Sequence, residues 1–428
     1  MRIKNAFHRI LVSSLAVGMF AVMPIVSAEV REYEGFGEYV MSDFETPDIA
    51  KQRAKARAEQ NAMEQAGVYV ESFTKVINAQ VTHDEINVIT NGILKVKDTQ
   101  YTMTPTSDGK SFIIRSSIKA DIDTDDIAKW LAQNKQEKDM LIAQNKELQK
   151  AKAEQDKQIE ELKKQVASAK SAQEKETVQA KINTADQEFL SNQKMEEGIR
   201  LWESGDNISA VIMFSQAVEL NPRNAHAFSC LGVTYAYLGD EKKAIENCQK
   251  AIDLTPNTAT AYRNRGWIYS MFKHYEHAIV DCSKAIELNP EDALVYTVRG
   301  FSYGNLRDYP KAIDDFSNAL RINVKNTEAY YFRGMIYLAL KDYPKAIVDL
   351  TKSIELDPKN ANAYNGRGSA YGSIGDYAKM IDDLTKVIEL DPKNAVAYHD
   401  RGVAYKRLGI STKAKEDFAQ AKSLGLSY

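Results

Sequence analysis

Apolar and polar positions repeat along the chain with a period of 34 residues, from residue 191 to residue 428. In the third repeat, Tyr262, Gly266 and Tyr269 fall on one face of a first predicted helix. Ala278 begins the apolar face of a second predicted helix. A period of this length is typical of stacked helical hairpins. The pattern therefore predicts seven consecutive hairpins in this part of the chain.

Small residues and prolines punctuate the repeats. The glycine recurs as Gly198, Gly232, Gly266, Gly300, Gly334, Gly368 and Gly402. The facing alanine recurs as Ala210, Ala244, Ala278, Ala312, Ala346 and Ala414, with Met380 in the sixth repeat. Prolines between repeats stand at Pro222, Pro256, Pro290, Pro358 and Pro392. Small side chains let two helices cross closely, and proline ends a helix. These residues fix where each predicted helix begins, ends and packs.

The repeated motif resembles the tetratricopeptide repeat. In the third repeat it consists of Tyr262, Gly266, Tyr269, Ala278, Ala285 and Pro290. The resemblance covers more than half of the chain. It implies a mostly α fold in which antiparallel helix pairs form a right-handed superhelix, with the first helix of each pair lining a concave face. It also implies that this face binds a protein or peptide partner.

Five repeats carry a pair of opposite charges that the first two lack. An arginine precedes the glycine as Arg265, Arg299, Arg333, Arg367 and Arg401. An aspartate follows sixteen residues later as Asp281, Asp315, Asp349, Asp383 and Asp417. The first two repeats have Glu197 with Met213, and Leu231 with Asn247. Because the two residues occur together, we predict an ion pair that joins the helices of one hairpin. The alternative is a row of arginines that reads an acidic ligand.

One set of first-helix side chains is predicted to line the concave face. It consists of Arg263, Trp267, Met271, Thr297, Phe301, Asn305, Tyr331, Met335 and Leu338. Towards the C-terminus the predicted lining becomes polar, with Asn365, Ser369, Ser373, His399, Lys406 and Arg407. An apolar, aromatic middle suits an extended peptide or an amphipathic helix of a partner. The alternative is that neighbouring repeats shield some of these aromatic side chains.

The N-terminus has the layout of a secretory signal peptide. Met1–Arg9 carries only basic charges, Ile10–Val26 is almost wholly apolar, and Val26-Ser27-Ala28 places small residues at a cleavage position. We therefore predict a signal peptide over 1–28 and an exported protein, periplasmic or extracellular, of a bacterial cell envelope. An uncleaved anchor is the alternative; after cleavage no membrane span is expected.

Residues 29–126 predict a small α+β domain. The predicted elements are a strand over Glu38–Met41, a helix over Ile49–Gln65 that ends at Gly67, and strands over Ile93–Met103 and Ser111–Ala120. Gly35-Phe36-Gly37, the alanine-rich helix and the last strand resemble the N-terminal domain of flagellar assembly protein T and of related small outer-membrane lipoproteins. The resemblance implies an envelope location and a binding role, with no catalytic residues to transfer.

Residues 127–190 predict a charged helical stalk. Leu141, Leu148 and Leu162 follow a seven-residue spacing interrupted by Gln155, and Ile159 and Val166 form a second line. A partly apolar seam of this kind allows the stalk to pair with a second copy as a coiled coil. The alternatives are a single exposed helix acting as a spacer and a partly disordered linker.

Composition removes several functional classes. The chain of 428 residues is 44% hydrophobic and 27% charged, and its net charge of −3 gives no general attraction to nucleic acid. Three cysteines, Cys230, Cys248 and Cys282, are too few for a disulfide framework and fall at interior repeat positions. We predict small core residues, with one bond between Cys230 and Cys248 as the alternative.

No arrangement of residues predicts catalysis or a cofactor. Gly366–Gly372 resembles a phosphate loop but lies inside a repeat helix with no strand before it. His274 and His277 offer too few ligands for a metal, and Asp121–Asp126 lacks the glycine of a calcium loop. We therefore predict an exported non-catalytic scaffold in envelope or surface-appendage assembly. The alternative is an enzyme with a site in residues 29–126, to which the repeats bring substrate.

Overall fold

The computed structural model describes residues 30–41, 45–76, 94–109, 111–123 and 157–426, together with Ile86 and Thr90. The predicted signal peptide and the stalk residues before 157 lie outside the described residues. The chain divides into two compact units, one holding the described residues up to Glu196 and the other nearly all those from Glu197 onwards. Each unit has its own architecture and is described by itself.

The N-terminal unit contains a three-stranded antiparallel sheet and a long helix, as the sequence predicts. The elements are β1 Val30–Met41, α1 Pro47–Val76, β2 Lys95–Pro105 and β3 Phe112–Asp123. The strand order is β1-β3-β2, with Tyr39 opposite Ile114 and Met103 opposite the same residue on the other side. The prediction that the helix ends at Gly67 is wrong, because α1 continues for two further turns. A Cβ at Gly67 would make only ordinary contacts, 3.6 Å from Ile86, so nothing there stops the helix.

Helix α1 packs on the sheet through its smallest side chains. Five fully buried alanines, one every fourth residue, form this face: Ala50, Ala54, Ala58, Ala62 and Ala66. On β1 they meet Gly35 and Gly37. A Cβ at Gly37 would lie 2.0 Å from the carbonyl oxygen of Ala54, and one at Gly35 would lie 2.1 Å from that of Ala58. Both glycines are therefore required for the close approach of helix and strand.

The described part of the N-terminal unit also contains α2 (157–168) and the beginning of α3 (Ala172–Glu203). The expectation of one uninterrupted stalk helix is wrong at residues 169–171. There Ser171 Oγ accepts a hydrogen bond from Glu174 N (3.1 Å), and the Glu174 carboxylate accepts one from Lys170 N (3.0 Å). The arrangement resembles a capping box, except that Glu174 reaches the residue before the N-cap, and it starts a new helix.

The two helices fold back on each other and bury one line of the predicted seam. Val166 packs with Val178 and Ile182. Ile159 is fully buried as well. These side chains are therefore covered within the chain and are not available for pairing with a second copy. Leu162 of the other predicted line is half-buried and packs against this cluster, and Leu141 and Leu148 lie outside the described residues.

A buried cluster of charges ties α1 and β1 to the helical hairpin. Arg53 Nη2 donates to Asp186 Oδ1 at 2.7 Å, and Lys163 Nζ lies 3.2 Å from Glu45 Oε2. The hydroxyl of Tyr39 donates to Glu45 Oε1 at 2.5 Å. Arg53, Glu45 and Asp186 are each less than 10% exposed. Two cations thus balance two anions, which is the condition for burying charge without a large penalty.

The second unit is a row of seven antiparallel helical hairpins, which confirms the predicted α-solenoid. The end of α3 pairs with α4. The remaining helices are α4 Asn207–Leu220, α5 Ala225–Leu238, α6 Glu241–Leu254, α7 Ala259–Met271, α8 Tyr275–Leu288, α9 Ala293–Asn305, α10 Tyr309–Ile322, α11 Thr327–Ala339, α12 Tyr343–Leu356, α13 Ala361–Ser373, α14 Tyr377–Leu390, α15 Ala395–Arg407 and α16 Ser411–Ser423. Each hairpin packs chiefly on the next.

The repeated small residues bring the two helices of a hairpin into contact. A Cβ at Gly232 would lie 2.8 Å from the carbonyl oxygen of Ala244. In the sixth hairpin, where Met380 replaces the alanine, the nearest atom to a Cβ at Gly368 is 3.4 Å away. The Met380 sulfur instead occupies the space beside Gly372. The larger side chain is accommodated by a second glycine one turn along.

First helices lie on the inner side of the row. Successive first helices from α5 to α13 contact one another, whereas successive second helices do not to a comparable extent in the described part of the chain. Elements on the inside of a curved stack approach each other more closely than those on the outside. The first helices therefore line the inner face of this unit.

Candidate interaction surfaces

Five arginines of the first helices pair with five aspartates of the second helices. The pairs are Arg265 with Asp281, Arg299 with Asp315, Arg333 with Asp349, Arg367 with Asp383, and Arg401 with Asp417. In every pair Nε and Nη2 donate to the two carboxylate oxygens over 2.7 to 3.0 Å. Parallel hydrogen bonds of this kind fix direction as well as distance. Each pair joins the two helices of one hairpin.

The third nitrogen of each arginine reaches the preceding hairpin. Nη1 donates to a side chain sixteen residues earlier, on the second helix of the previous repeat. The acceptors are Gln249, Ser283 (2.9 Å), Ser317 (2.9 Å), Thr351 (3.0 Å) and Thr385 (3.1 Å). Each arginine therefore links three helices and connects neighbouring repeats. Sequence analysis missed these acceptors, although a polar residue at the same repeat position was a usable signal.

Little of each guanidinium group remains for a ligand. The arginine side chains are 13 to 19% exposed. Tyrosine rings one turn away lie 5.6 to 6.0 Å from the guanidinium carbon. All three nitrogens already donate to protein acceptors. This geometry favours the structural role over the reading of an acidic ligand.

Two residues assigned to the concave lining are instead buried. Trp267 is 4% exposed and packs against Tyr237, with ring centroids 5.4 Å apart. Thr297 is 6% exposed, and its hydroxyl donates to Ala293 O and accepts from Asn326 Nδ2 (2.8 Å). Both are corrections to the predicted lining. The physical reason is that side chains from neighbouring repeats cover these positions.

Other predicted lining residues are half-buried by the next repeat. Arg263 Nη1 pairs with Asp292 Oδ2 at 3.0 Å. Phe301 meets Phe332 edge to face at 4.9 Å. The half-buried members of the predicted set are Arg263, Met271, Phe301, Tyr331, Met335 and Leu338. Part of each side chain therefore stays accessible on the inner face.

The open part of the inner face is polar. Asn305, Ser369 and Ser373 are exposed. Asn305 Nδ2 donates to the Phe301 carbonyl at 2.9 Å, which leaves its Oδ1 as an acceptor for another molecule. The serine hydroxyls donate to carbonyls of their own helix at 2.9 Å and keep acceptor capacity. Further along, Lys406 and Arg407 are exposed, and Asn365 and His399 are half-buried.

All three cysteines are free thiols in the hairpin interior. Burial raises the pKa of Cys230 and of Cys248 to about 12. Burial also raises the pKa of Cys282. A raised pKa keeps the thiol protonated and slow to react. The three cysteines therefore lie in the structure as the small core residues that the sequence predicts.

The two histidines considered as metal ligands have other contacts. His274 Nε2 lies 2.7 Å from Glu241 Oε1, and the His277 ring lies 5.1 Å from that of Tyr269. Over the described ranges, no group of three or more His, Cys, Asp or Glu side chains is placed to hold a metal ion. In the same ranges no helix is both long and apolar enough to cross a membrane.

These hairpins contact chiefly their neighbours, and a regular row of Arg–Asp pairs connects them. Such an arrangement defines a helical repeat solenoid. Residues 225–258, 259–292, 327–360, 361–394 and 384–416 match models of the tetratricopeptide repeat. The chain therefore carries tetratricopeptide repeats. No curated protein matches the chain.

Several solved structures resemble the chain. One is YrrB, described as a TPR protein with an unusual peptide-binding site, at 27% identity and a TM-score of 0.39, over 42% of this chain and 94% of that one. A tetratricopeptide repeat protein from Parabacteroides merdae has 24% identity and a TM-score of 0.43, over 55% of this chain and 94% of that one. MamA from Desulfovibrio magneticus RS-1 has 25% identity and a TM-score of 0.37, over 39% and 94%.

Proposed function

We propose that this chain is an exported, non-catalytic scaffold whose repeats bind a protein or peptide partner on the inner face of the hairpin row. Tetratricopeptide repeats support a protein-interaction role, and proteins of this family are typically non-catalytic. The single observation that carries the inner-face assignment is the row of accessible side chains on the first helices. It runs from Asn305 to Ser369 and Ser373.

An extended segment of a partner suits this face. Asn305 Oδ1 and the two serine hydroxyls offer acceptors to backbone N–H groups of a bound chain. Tyr331 and Met335, on the first helix of the intervening fifth repeat, are half-buried and supply apolar contact. The arginines of the five Arg–Asp pairs already donate to protein acceptors. The charge of a ligand's side chains is therefore a minor contributor to binding at these positions. Shape and backbone hydrogen bonds dominate recognition here.

The place of action is the bacterial cell envelope, in the assembly of an envelope structure or surface appendage. Support comes from the signal-like N-terminus and from the resemblance of residues 29–126 to envelope domains. The two close-packing glycines of β1 belong to that resemblance. Mass measurement of the protein recovered from the source organism tests export: a chain that starts at Glu29 is expected, and a full-length cytoplasmic chain contradicts it.

Site-specific photo-crosslinking tests the inner face. A photoreactive amino acid is placed at Asn305 or at Ser369, both exposed on first helices, in the full chain. Asp314 and Asp382, exposed on second helices, serve as matched control positions. In envelope extract, we expect discrete adducts from the inner positions only. Adducts of equal yield from both sets, or from the control set alone, would contradict inner-face binding.

A further inference from the structure

The turn between the two helices of a hairpin repeats one unusual feature in three adjacent repeats. Lys273, Arg307 and Lys341 have φ angles of 69°, 64° and 62°. This left-handed region strongly favours glycine, because a Cβ there is crowded by the backbone. At the same turn position the four other repeats have Gly205, Gly239, Gly375 and Gly409, with φ angles of 87°, 83°, 84° and 77°. The middle repeats therefore keep a basic residue where glycine fits with less strain.

The turn itself does not need these side chains. In the fifth repeat Lys341 N donates to Leu338 O at 3.0 Å, and Asp342 N donates to Tyr337 O at 2.8 Å. The glycine-containing turn of the sixth repeat closes in the same way, with Asp376 N on Tyr371 O at 2.9 Å. These backbone bonds end the first helix whatever residue occupies the left-handed position. The basic side chains are exposed, and none of the three forms an ion pair in the described part of the chain.

An apolar residue stands beside the turn in six of the seven repeats. The residue before the left-handed position is Leu238, Phe272, Leu306, Leu340, Ile374 or Leu408. Apart from the half-buried Phe272, these side chains are 40 to 53% exposed. First helices of successive repeats run in the same direction, so their C-terminal ends follow one edge of the row. We call the edge formed by residues 272–273, 306–307 and 340–341 the turn edge.

Charge at the turn edge differs from that of the flanking turns. Asp308 and Asp342 cap the second helices and pair with Lys311 (2.7 Å) and Lys345 (2.8 Å). The charge left over in the fourth and fifth repeats is therefore that of the basic residue in the left-handed position. In the sixth repeat the same Asp–Lys pair is present (2.8 Å), but the left-handed residue is glycine. At the left-handed position, positive charge is thus confined to the middle repeats, whereas in the seventh repeat the exposed basic residues Lys406 and Arg407 precede the turn.

A shallow recess lies next to the last turn of this edge. Its volume is about 360 Å³, and it is lined by Arg333, Tyr337, Pro344, Lys345, Val348 and Asp349. Tyr337 precedes Leu340 by one helical turn, and Val348 is 67% exposed. The recess offers room for an apolar side chain of a partner beside the positive charge. Apolar and basic features therefore continue from the turn onto the adjoining helix surface.

We propose that the turn edge is a second docking surface, separate from the inner face, which binds an amphipathic helix of a partner protein bearing acidic residues. Neighbouring helices stand about 10 Å apart, and an α-helix rises about 1.5 Å per residue. One repeat therefore corresponds to about seven residues of the partner helix. A partner helix with one apolar and one acidic side chain in every seven residues would contact successive repeats. Three turns correspond to about 14 residues of helix.

A protein helix fits this edge better than an anionic membrane. The residue directly after each basic residue is the N-cap of the second helix, and in the fourth and fifth repeats this residue is an aspartate. Lysines balance these aspartates, so only three cations, one per repeat, would face a plane of anionic lipid headgroups, whereas recognition of such lipids typically uses a cluster of about four to eight. The net charge of the whole chain is −3, so the chain as a whole gains no electrostatic attraction to such a plane. A helix with discrete acidic positions can address each cation separately.

A glycine variant separates binding from folding. Lys273→Gly, Arg307→Gly and Lys341→Gly together remove three charges and also relieve the left-handed strain. The thermal unfolding midpoint of this full-chain variant is expected to be unchanged or raised. The matched control is Lys325→Ser, Lys359→Ser and Lys393→Ser, which removes three exposed lysines from the turns between repeats.

The probe is a fluorescent 21-residue helical peptide with one Leu and one Glu on the same face in every seven residues. By fluorescence anisotropy, the triple-glycine variant is expected to bind it about tenfold more weakly than the wild type and the lysine-to-serine control. Leu306→Ser with Leu340→Ser is expected to weaken binding as well. A peptide with Lys in place of Glu is expected to bind the wild type about tenfold more weakly.

Three results would overturn the proposal. The first is equal binding of the acidic peptide to the wild type and the triple-glycine variant. The second is an absence of binding to the wild type. The third is co-sedimentation of the wild type, but not of the triple-glycine variant, on phosphatidylglycerol vesicles, which would assign the edge to a membrane surface. Because the peptide is aimed at the turn edge, failure here leaves the crosslinking test of the inner face unaffected.

Discussion

Among the five Arg–Asp pairs, Asp315 is the most informative side chain to remove. Its carboxylate accepts two hydrogen bonds from Arg299, of 2.8 and 2.7 Å, and its side chain is 5% exposed. Arg299 is held further by Ser283 of the preceding repeat at 2.9 Å. Asp315→Ala would leave the guanidinium group partly buried, with one hydrogen-bonded nitrogen and two without acceptors. The change thus removes the bond between helices while it keeps the backbone helical.

The expected loss follows from burial. Removing one partner of a buried ion pair costs about 3–5 kcal/mol. The Arg299 side chain is 19% exposed, so water can reach part of it and the lower end applies. A loss of about 3 kcal/mol lowers the unfolding midpoint of an array of this size by about 6–12 °C. Since stability in a repeat array is shared between neighbours, a lesion in the fourth of seven repeats also weakens cooperativity.

Circular dichroism at 222 nm, followed through thermal and urea unfolding of the full chain, measures this loss. The neighbouring Asp314 is exposed and forms no ion pair among the described residues, so Asp314→Ala is a matched control. It is expected to change stability by less than about 0.5 kcal/mol. The double variant Arg299→Leu with Asp315→Asn copies the second repeat, which has Leu231 and Asn247. It is expected to recover most of the loss, because no buried charge remains.

Either of two results would contradict the expected effect of Asp315→Ala. A loss below about 1 kcal/mol for Asp315→Ala would place the pair among surface ion pairs of small effect. A double variant as unstable as the single one would mean that the interior depends on the charges themselves and not on their mutual compensation.

Two further predictions concern the N-terminal unit. Gly37→Ala is expected to unfold this unit, because the new methyl group would overlap a carbonyl of α1. Limited proteolysis should show faster cleavage of this variant. Gly67→Ala is the control and should behave like the wild type, because its methyl group would make only ordinary contacts. Arg53→Leu is expected to cost about 3–5 kcal/mol, because Asp186 and Glu45 would be left buried. Faster amide exchange in residues 157–196 measures it, and exchange unchanged from the wild type would contradict the role of the cluster.

The repeats were predictable because their signals are local and recur. One glycine and one facing alanine per period predict where the two helices of a hairpin cross, and in the structure these residues are in contact. The joint presence of Arg and Asp sixteen residues apart likewise identifies partners without any structure. The hydroxyl acceptors in the preceding repeat belong to the same pattern, but a single Ser or Thr has too many roles to stand out. Periodicity therefore specifies backbone and core better than it specifies polar partners.

Surface accessibility was less predictable. Helix geometry alone assigns Trp267 and Thr297 to the inner face, yet the amount by which a neighbouring repeat covers them depends on how closely the repeats stack. The break before α3 carried a local signal, Ser171 followed by Glu174, which a reading of composition as one long stalk overlooked. The buried pair of Arg53 and Asp186 is separated by 133 positions. A contact over that distance has no periodic signal in one sequence.

The aspartates that begin the second helices give the array a defined response to acid. The pKa of Asp308, Asp342 and Asp376 is lowered, chiefly by a hydrogen bond from the lysine side chain three residues later and also by a backbone N–H of the first turn. A carboxyl group with a lower pKa in the folded state than in the unfolded state stabilises the fold at higher pH. Its contribution is complete above the ordinary value near 3.8 and disappears as the pH falls through the lowered value.

Substitution of all three aspartates by asparagine tests this sign. Asparagine still accepts the capping hydrogen bond from the backbone, but it does not titrate and does not attract the lysine. At pH 7 the triple variant is expected to be less stable than the wild type. Between pH 5 and pH 2 the wild type should lose stability more steeply, so that the two unfolding midpoints converge. Because the other carboxyl groups titrate in both proteins, parallel decline of the two midpoints would show that these three caps do not carry the acid response.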